Sequence, residues 1–333
     1  MKKIFGLLSV LAIFGMLTFN VSFANAQSKK MEKVVAAWLP IMQTTAFYVA
    51  LEEGLFEEAG IEIVSHKMQS PNHIIDALVG GRADFGPPGA AAGIAMLAES
   101  KFPGTFKVFG LQGGGIKVNL INDGLIVKAD SDIKTFADLK GKRLGHVPGI
   151  QWRTISKHMV RAFGLDPDND VILTDLAVAM QVPAVIGGSV DATLSLEPVG
   201  SIAVASGKAK RAMTNPVATV ISDPFYSGAA VLTTKFMKER PEVAKKVVEV
   251  IDKATKLAMA DFEKYKVIIP KYTAIKSDQL HLLAKPYLRP FDELNETDLN
   301  SYQAFVDVFY SEGVMKERMD VRQKMLKPSD LGL

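Results

Sequence analysis

The chain has 333 residues, enough for two domain-sized units, and its 48% hydrophobic and 23% charged content is that of a folded protein with a sizeable core. A formal net charge of +3, with no Lys/Arg run longer than two, gives no basic face for nucleic acid. The absence of cysteine excludes disulfides, thiolate catalysis, Cys-ligated zinc, iron–sulfur clusters and a lipidated N-terminal Cys.

Residues 1–26 read as a signal peptide. Met1-Lys2-Lys3 is the basic region, Ile4 to Phe19 the apolar region, and Ala24-Asn25-Ala26 the small-residue cleavage site. The apolar run is shorter than the roughly 20 residues of a spanning helix. Lys2 and Lys3 leave with the leader, so the mature chain from Gln27 is nearly neutral. It is expected to be exported, soluble and without a lipid anchor.

Strand-like and helix-like segments then alternate, which predicts α/β architecture with parallel strands. Residues 34–38 form a strand, broken by Pro40. Thr44 or Thr45 caps a helix running to Glu53. Strand 61–64 follows, then a helix opened by Pro71 and stopped by Gly80-Gly81. Strand 83–86 ends in the loop Gly86-Pro87-Pro88-Gly89, and strand 106–110 precedes Gln112-Gly113-Gly114. A linking strand, 124–127, and a helix start at Thr135 to Asp138 come next. The first plan then recurs: strand 143–146, helix 151–163 stopped by Gly164, strand 171–173, helix 178–186 with Pro183 as an irregularity, and strand 192–196. The segment Ala77 to Asp84 is echoed by Ala184 to Asp191, which favours two similar lobes. Strand 229–232 follows. The C-terminal part is expected to be helical, with Val243, Val247, Ile251, Ala254, Ala258 and Phe262 as a buried stripe and a second helix over 296–310. The short Lys-Lys leader reads as bacterial, so the sequon Asn295-Glu296-Thr297 is taken as chance. The expected lobes are 31–122 plus 228–333, and 123–227.

Ligands of open α/β sheets lie beyond the C-terminal ends of parallel strands, and clefts between domains are favoured sites. This selects Leu39, Gln43, Thr44, Pro87, Pro88, Gly89 and Gln112 from the first lobe, and Gly149, Gln151, Trp152, Arg153 and Glu197 from the second. Helix starts at Thr44-Thr45 and Gln151-Trp152 offer free N–H groups to a partly negative ligand. Gly89 allows close main-chain approach, and Pro87-Pro88 reads as a rigid loop. Trp38 is expected in the core, whereas Trp152 is open to either role. Arg153 and Glu197 are the charged candidates. His66, His73, His146, His158 and His281 have no metal spacing, and most are expected on the surface or in support of residues that meet a ligand. The run from Gly110 to Gly115 lacks the Gly-Lys-Ser/Thr ending of a phosphate loop. No nucleophile elbow, cofactor motif or metal set is present.

The segment from Ala46 to Ile63, with Gly54-Leu55-Phe56-Glu57-Glu58-Ala59-Gly60 at its centre, resembles the substrate-binding proteins of ABC importers for nitrate, sulfonates, taurine and thiamine precursors (SsuA/TauA/ThiY, NMT1-like). Ala77 to Asp84, Asp138 to Gly145 and Leu196-Glu197-Pro198 continue the likeness in order. The resemblance implies a two-lobed periplasmic binding fold of type II, each lobe a mostly parallel sheet flanked by helices and joined by two crossover segments. It implies a periplasmic monomer that closes on a small molecule by hinge motion and docks on permease subunits with a cytoplasmic ATPase. Neither a cofactor nor an enzymatic activity is expected. A pyrimidine-forming eukaryotic branch depends on cysteines, which this chain lacks. Two departures bear on the ligand. Pro148-Gly149-Ile150-Gln151-Trp152 has no hydroxyl until Thr154, and Val199 stands where an aromatic often follows Glu-Pro. The first weakens a small tetrahedral or planar oxyanion as ligand and leans toward a larger, partly apolar or aromatic one, with a carboxylate near Arg153. A sensory module for a membrane receptor and an exported enzyme on the same fold are the alternatives.

Overall fold

The computed structural model describes residues 31–331, and the expected leader lies outside the described residues. The strands are β1 (Glu32–Trp38), β2 (Ile61–Lys67), β3 (Phe85–Ala91), β4 (Phe106–Gly114), β5 (Asp123–Lys128), β6 (Lys142–His146), β7 (Val171–Asp175), β8 (Ala192–Leu196), β9 (Ala209–Thr214), β10 (Phe225–Thr233) and β11 (Tyr287–Arg289). They form two sheets, β11-β4-β10-β3-β1-β2 and β7-β6-β8-β5-β9, with helices packed on them. In each sheet four strands share a direction. A reversed strand, β10 or β5, is inserted among them, and β11 adds a second reversed strand at the edge of the first sheet. The reversal has a simple cause. The chain crosses between sheets through 115–122 and 215–224, and each crossing delivers the reversed strand of the sheet it enters.

Parallel neighbours such as β1, β2 and β3 need crossover helices, and the sequence supplies them with stops and caps. Ser70 Oγ accepts the His73 N–H ahead of the helix Pro71–Val79. Thr135 and Asp138 form a capping box around a single 3-10 turn, Phe136–Leu139. The expected Thr44 or Thr45 cap is not made by a side chain. Both hydroxyls donate backwards, to the Leu39 and Met42 carbonyls. Asn295 of the sequon caps the helix Glu296–Ser311, accepting from the Thr297 and Asp298 N–H groups. The stripe on the long helix Pro241–Ala260 packs Val247, Ile251, Ala254 and Ala258 into the same cluster as Phe47, Phe56 and Phe85. Fully burying a large apolar side chain contributes about 1.5–3 kcal/mol.

Three elements differ from expectation. Pro87 and Pro88 lie within β3 rather than in a loop. The β3–β10 register slips there, between Val231↔Gly86 and Ala229↔Ala90, so the missing N–H groups fall at a break in the ladder. The helix Ala92–Lys101 was not foreseen, because its first eight residues are all buried and show no amphipathic period. Gln112 to Gly114 continue β4 instead of forming a loop. The glycines there permit contact with β10 and the first crossing: a Cβ on Gly113 would stand 1.8 Å from the Phe225 carbonyl oxygen, and one on Gly114 2.5 Å from that of Leu120. Among the described residues, no helix is long and apolar enough to cross a membrane.

One buried carboxyl makes stability depend on pH. Asp252, on the long helix, accepts the Phe291 N–H (2.7 Å), and burial, helped by the nearby Asp292 charge, pushes its carboxyl up to about 7. The folded state then holds this proton more tightly than the unfolded chain, whose carboxyl titrates near 3.9. Its relative contribution is greatest below about pH 4 and is lost as pH rises to about 7. Asp252→Asn keeps the acceptor and removes the charge. It is expected to add on the order of 2–4 kcal/mol at pH 8 and nothing at pH 4, as read from urea unfolding at the two pH values.

Candidate functional site

The loops that follow β1, β3, β6 and β8 meet where the lobes touch. Met42 N–H donates to the Glu197 carbonyl (3.1 Å). Gln43 Nε2 donates to Asn122 Oδ1, which also accepts from Ser227 Oγ (2.9 Å). Gln151, in the first turn of the helix Ile150–Ala162, reaches across to the first lobe. Its Oε1 accepts the Gly93 and Ile94 N–H groups (2.8 and 3.1 Å), and its Nε2 donates to the Ser227 carbonyl (3.0 Å). A second-lobe side chain therefore caps the helix Ala92–Lys101, whose N-terminal N–H groups would otherwise attract an anion. Gly149, at φ +107°, is held so close to Asn72 that a Cβ would stand 2.1 Å from its Oδ1. Gln43 Oε1 and Asn72 Oδ1 have no hydrogen-bond partner among the described residues. At the far edge, His158 (2.9 Å) and Arg161 both bind the Glu312 carboxylate across the lobes.

The crossings run behind this seam. Asn215, at φ +50°, accepts the Asn122 N–H (2.8 Å) and donates to the Leu120 carbonyl (2.9 Å). Asp123 accepts from Asn122 Nδ2 (2.7 Å) and from the Val217 N–H (3.2 Å), and burial pushes its carboxyl up to about 6. The two crossings are thus tied to each other.

Beside the seam lies a cavity of about 710 Å³, bordered by Pro40 and Pro198. Lobe one supplies Lys67, Met68, Gln69, Thr273 and Ala274. Lobe two supplies flanks of the helices Val178–Gly187 and Val199–Ala205, including Val182, Ile186 and Ile202. The volume falls within the range of small-molecule sites, about 300–1,000 Å³. Thr273 and Ala274 belong to a first-lobe segment of short 3-10 turns that packs onto the helix Val199–Ala205. That segment is anchored by Tyr272, which stacks on Tyr48 (4.3 Å, 3° between planes) and donates to Glu52 (2.8 Å). A slightly larger hollow of about 750 Å³ lies between Lys101 and Arg318, but its walls come from lobe one alone.

The structure gathers Gln43, Gln151, Gly89, Gln112 and Thr44 in or next to the seam. Gln112 Oε1 accepts the Gly89 N–H (3.0 Å), and Thr44 lies against Gly89. Leu39, Pro87, Pro88 and Trp152 are buried, with Trp152 in the core. The Glu197 carboxylate is used within its own lobe, accepting from Ser201 N–H and Oγ (3.1 and 2.7 Å) and pairing with Arg211. Arg153 is exposed and paired with Asp175 (2.9 Å). His146 is fully buried, and burial lowers its pKa and favours the neutral ring. None of the twelve expected residues lines the 710 Å³ cavity. Its walls were missed because Val182 and Ile186 read as ordinary core of an apolar helix, and because residues near Thr273 show no periodicity. The exposed face of an otherwise apolar helix directly after β7 was the available signal.

Two α/β lobes, each with a reversed strand delivered by a crossing segment, and a cavity walled by both place the chain in the class of two-lobed proteins with the type II periplasmic binding fold. The chain belongs to the family described as NMT1/THI5 like, whose profile matches residues 41–264. It is 28% identical over 260 residues to a Bacillus subtilis protein provisionally named an aliphatic sulfonates-binding protein, covering 76% of this chain and 73% of that one. It is 24% identical over 237 residues to the Saccharomyces cerevisiae 4-amino-5-hydroxymethyl-2-methylpyrimidine phosphate synthase THI13. That match covers 67% of this chain and just under two thirds, 66%, of the yeast protein. The alkanesulfonate-binding protein SsuA of Xanthomonas axonopodis pv. citri, solved bound to MOPS, superposes with a TM-score of 0.71 at 17% identity, covering 89% of this chain and 99% of that one. The desulfurization enzyme DSZB superposes with a TM-score of 0.67 at 15% identity, covering 90% and 98%. The fold thus carries both binders and enzymes.

Proposed function

We propose that this chain is the extracytoplasmic solute-binding subunit of an ABC importer. It captures a small organic molecule between its lobes and presents the closed form to membrane permease subunits driven by an ATPase. The observation that carries this reading is the cavity walled by both lobes. A ligand touching both favours the closed arrangement by its differential affinity for it. The seam of Gln43, Asn122, Gln151 and Ser227 supplies the polar contacts of that arrangement. The similarity to a sulfonate binder supports the reading, and the leader-like first 26 residues support a periplasmic location.

The yeast synthases favour a second reading, an exported enzyme. Against it, the chain lacks cysteine, and no group of three His, Cys, Asp or Glu able to hold a metal occurs among the described residues. Native mass spectrometry of the exported protein, purified without denaturant, separates the two. A co-purified small molecule that rebinds unchanged is the expected result, with Gln27 as the first residue. At 100 times its dissociation constant it should stabilise the protein by about 2.7 kcal/mol. A ligand recovered chemically altered would establish the enzyme reading instead.

A further inference from the structure

Resting on the solute-binding reading, we infer that the ligand is a monoanion with a bulky apolar body, its body in the 710 Å³ cavity and its charged end at Lys67. The second-lobe wall is Val178, Val182, Pro183, Ile186, Val199 and Ile202, with no polar side chain among them. Met68, Pro40 and Ala274 face them from the first lobe. Such a wall gains by displacing water with hydrocarbon and offers a hydrated ion nothing.

Charge sets the ligand's sign. Of the described residues lining the cavity only Lys67 is charged, and no carboxylate is among them. Lys67 makes no ion pair with an acidic side chain among the described residues. Its ammonium lies 3.5 Å from the Tyr272 carbonyl and 5.8 Å from the Trp38 ring centre. A cation at the mouth of an apolar cavity complements a single negative group at the end of an apolar body.

The seam argues against a small bare oxyanion. The helix N-terminus that would receive one, at Gly93 and Ile94, is taken by Gln151 Oε1. A planar four-atom anion or a two-carbon sulfonate would also leave most of the cavity unfilled. Lys67, rather than Arg153, meets the charge: Arg153 is exposed, paired with Asp175 and absent from the cavity wall.

The test is calorimetric titration of the full exported protein with three apolar carboxylates of different shape: decanoate, adamantane-1-carboxylate and 2-naphthoate. Their neutral amides, nitrate and taurine complete the panel. At least one carboxylate is expected to bind, its amide at least tenfold more weakly, and nitrate and taurine not measurably. Lys67→Gln should weaken the carboxylate by at least tenfold and leave the amide unchanged. Val178→Asp, which sets a negative charge in the wall, should abolish carboxylate binding while the melting temperature holds. Amide binding as tight as carboxylate binding, or an unaltered Lys67→Gln, would overturn the assignment of the charged end. Tighter binding of nitrate or taurine would overturn the ligand class and leave solute binding standing. No binding by any member, with no co-purified small molecule, would overturn both.

Discussion

Replacing Gln151 by alanine is expected to weaken ligand binding by about 30- to 1,000-fold while moving the melting temperature by only a few degrees. The side chain makes three hydrogen bonds between lobes, two to the first N–H groups of the helix Ala92–Lys101 and one to the Ser227 carbonyl. Truncation leaves those buried groups without partners wherever the lobes touch, at about 1–3 kcal/mol for each group that water cannot reach. A total of about 2–4 kcal/mol then acts against the closed arrangement alone. When only the closed arrangement binds, apparent affinity falls in proportion to its population. Calorimetry with the co-purified ligand measures the loss. Spin labels on Lys140 and Lys238, one in each lobe, should report a broader and longer distance distribution. An unchanged distribution with weakened binding would make Gln151 a ligand contact rather than a latch.

The second large effect is on folding. Gly113→Ala is expected to cost about 3 kcal/mol or more and to lower the melting temperature by roughly 2–4 °C for each kcal/mol. The added carbon would meet the Phe225 carbonyl oxygen at 1.8 Å and its carbon at 2.8 Å. Both are main-chain atoms of β10, so no rotamer change relieves the overlap, and β4 and β10 must part. Gly60→Ala provides the comparison. Nothing lies within 4 Å of its added carbon, and only the strain of φ +79° opposes it. A loss at Gly113 no larger than at Gly60 would show that the β4–β10 contact tolerates expansion.

These two residues also mark how far the sequence could be read. Strands such as β6 and β8, and helices with a periodic stripe such as Pro241–Ala260, carry local signals that tertiary packing reinforces. The glycines at 113 and 114 read as a turn because close approach of a distant strand leaves no trace in local pattern. The first eight residues of the helix Ala92–Lys101 are all buried, and uniform burial erases the period that identifies a helix. The strand-end rule led to Gln43 and Gln151, which sit in the seam. It also selected Glu197 and Arg153, whose charges are engaged elsewhere by Arg211 and Asp175. The cavity wall was beyond that rule. It is formed by helix flanks and by Thr273-Ala274, brought to the cleft by the stacking of Tyr272 on Tyr48, a pairing of residues far apart in the chain.

The order in which the strands are made separates the two sheets in time. All five strands of the second sheet lie between Asp123 and Thr214, so that sheet is complete once synthesis has passed β9. The first sheet begins earlier and finishes later. Its β3 and β4 remain without their shared neighbour until β10 emerges, about a hundred residues after β4 in the chain. Until then two rows of backbone hydrogen-bonding groups stay open, a state prone to mispairing and readily kept unfolded by a chaperone. On the exported reading proposed above, this late closure leaves the first sheet incomplete until about seven tenths of the chain has been made, long enough for the first lobe to stay competent for translocation while most of it is synthesised.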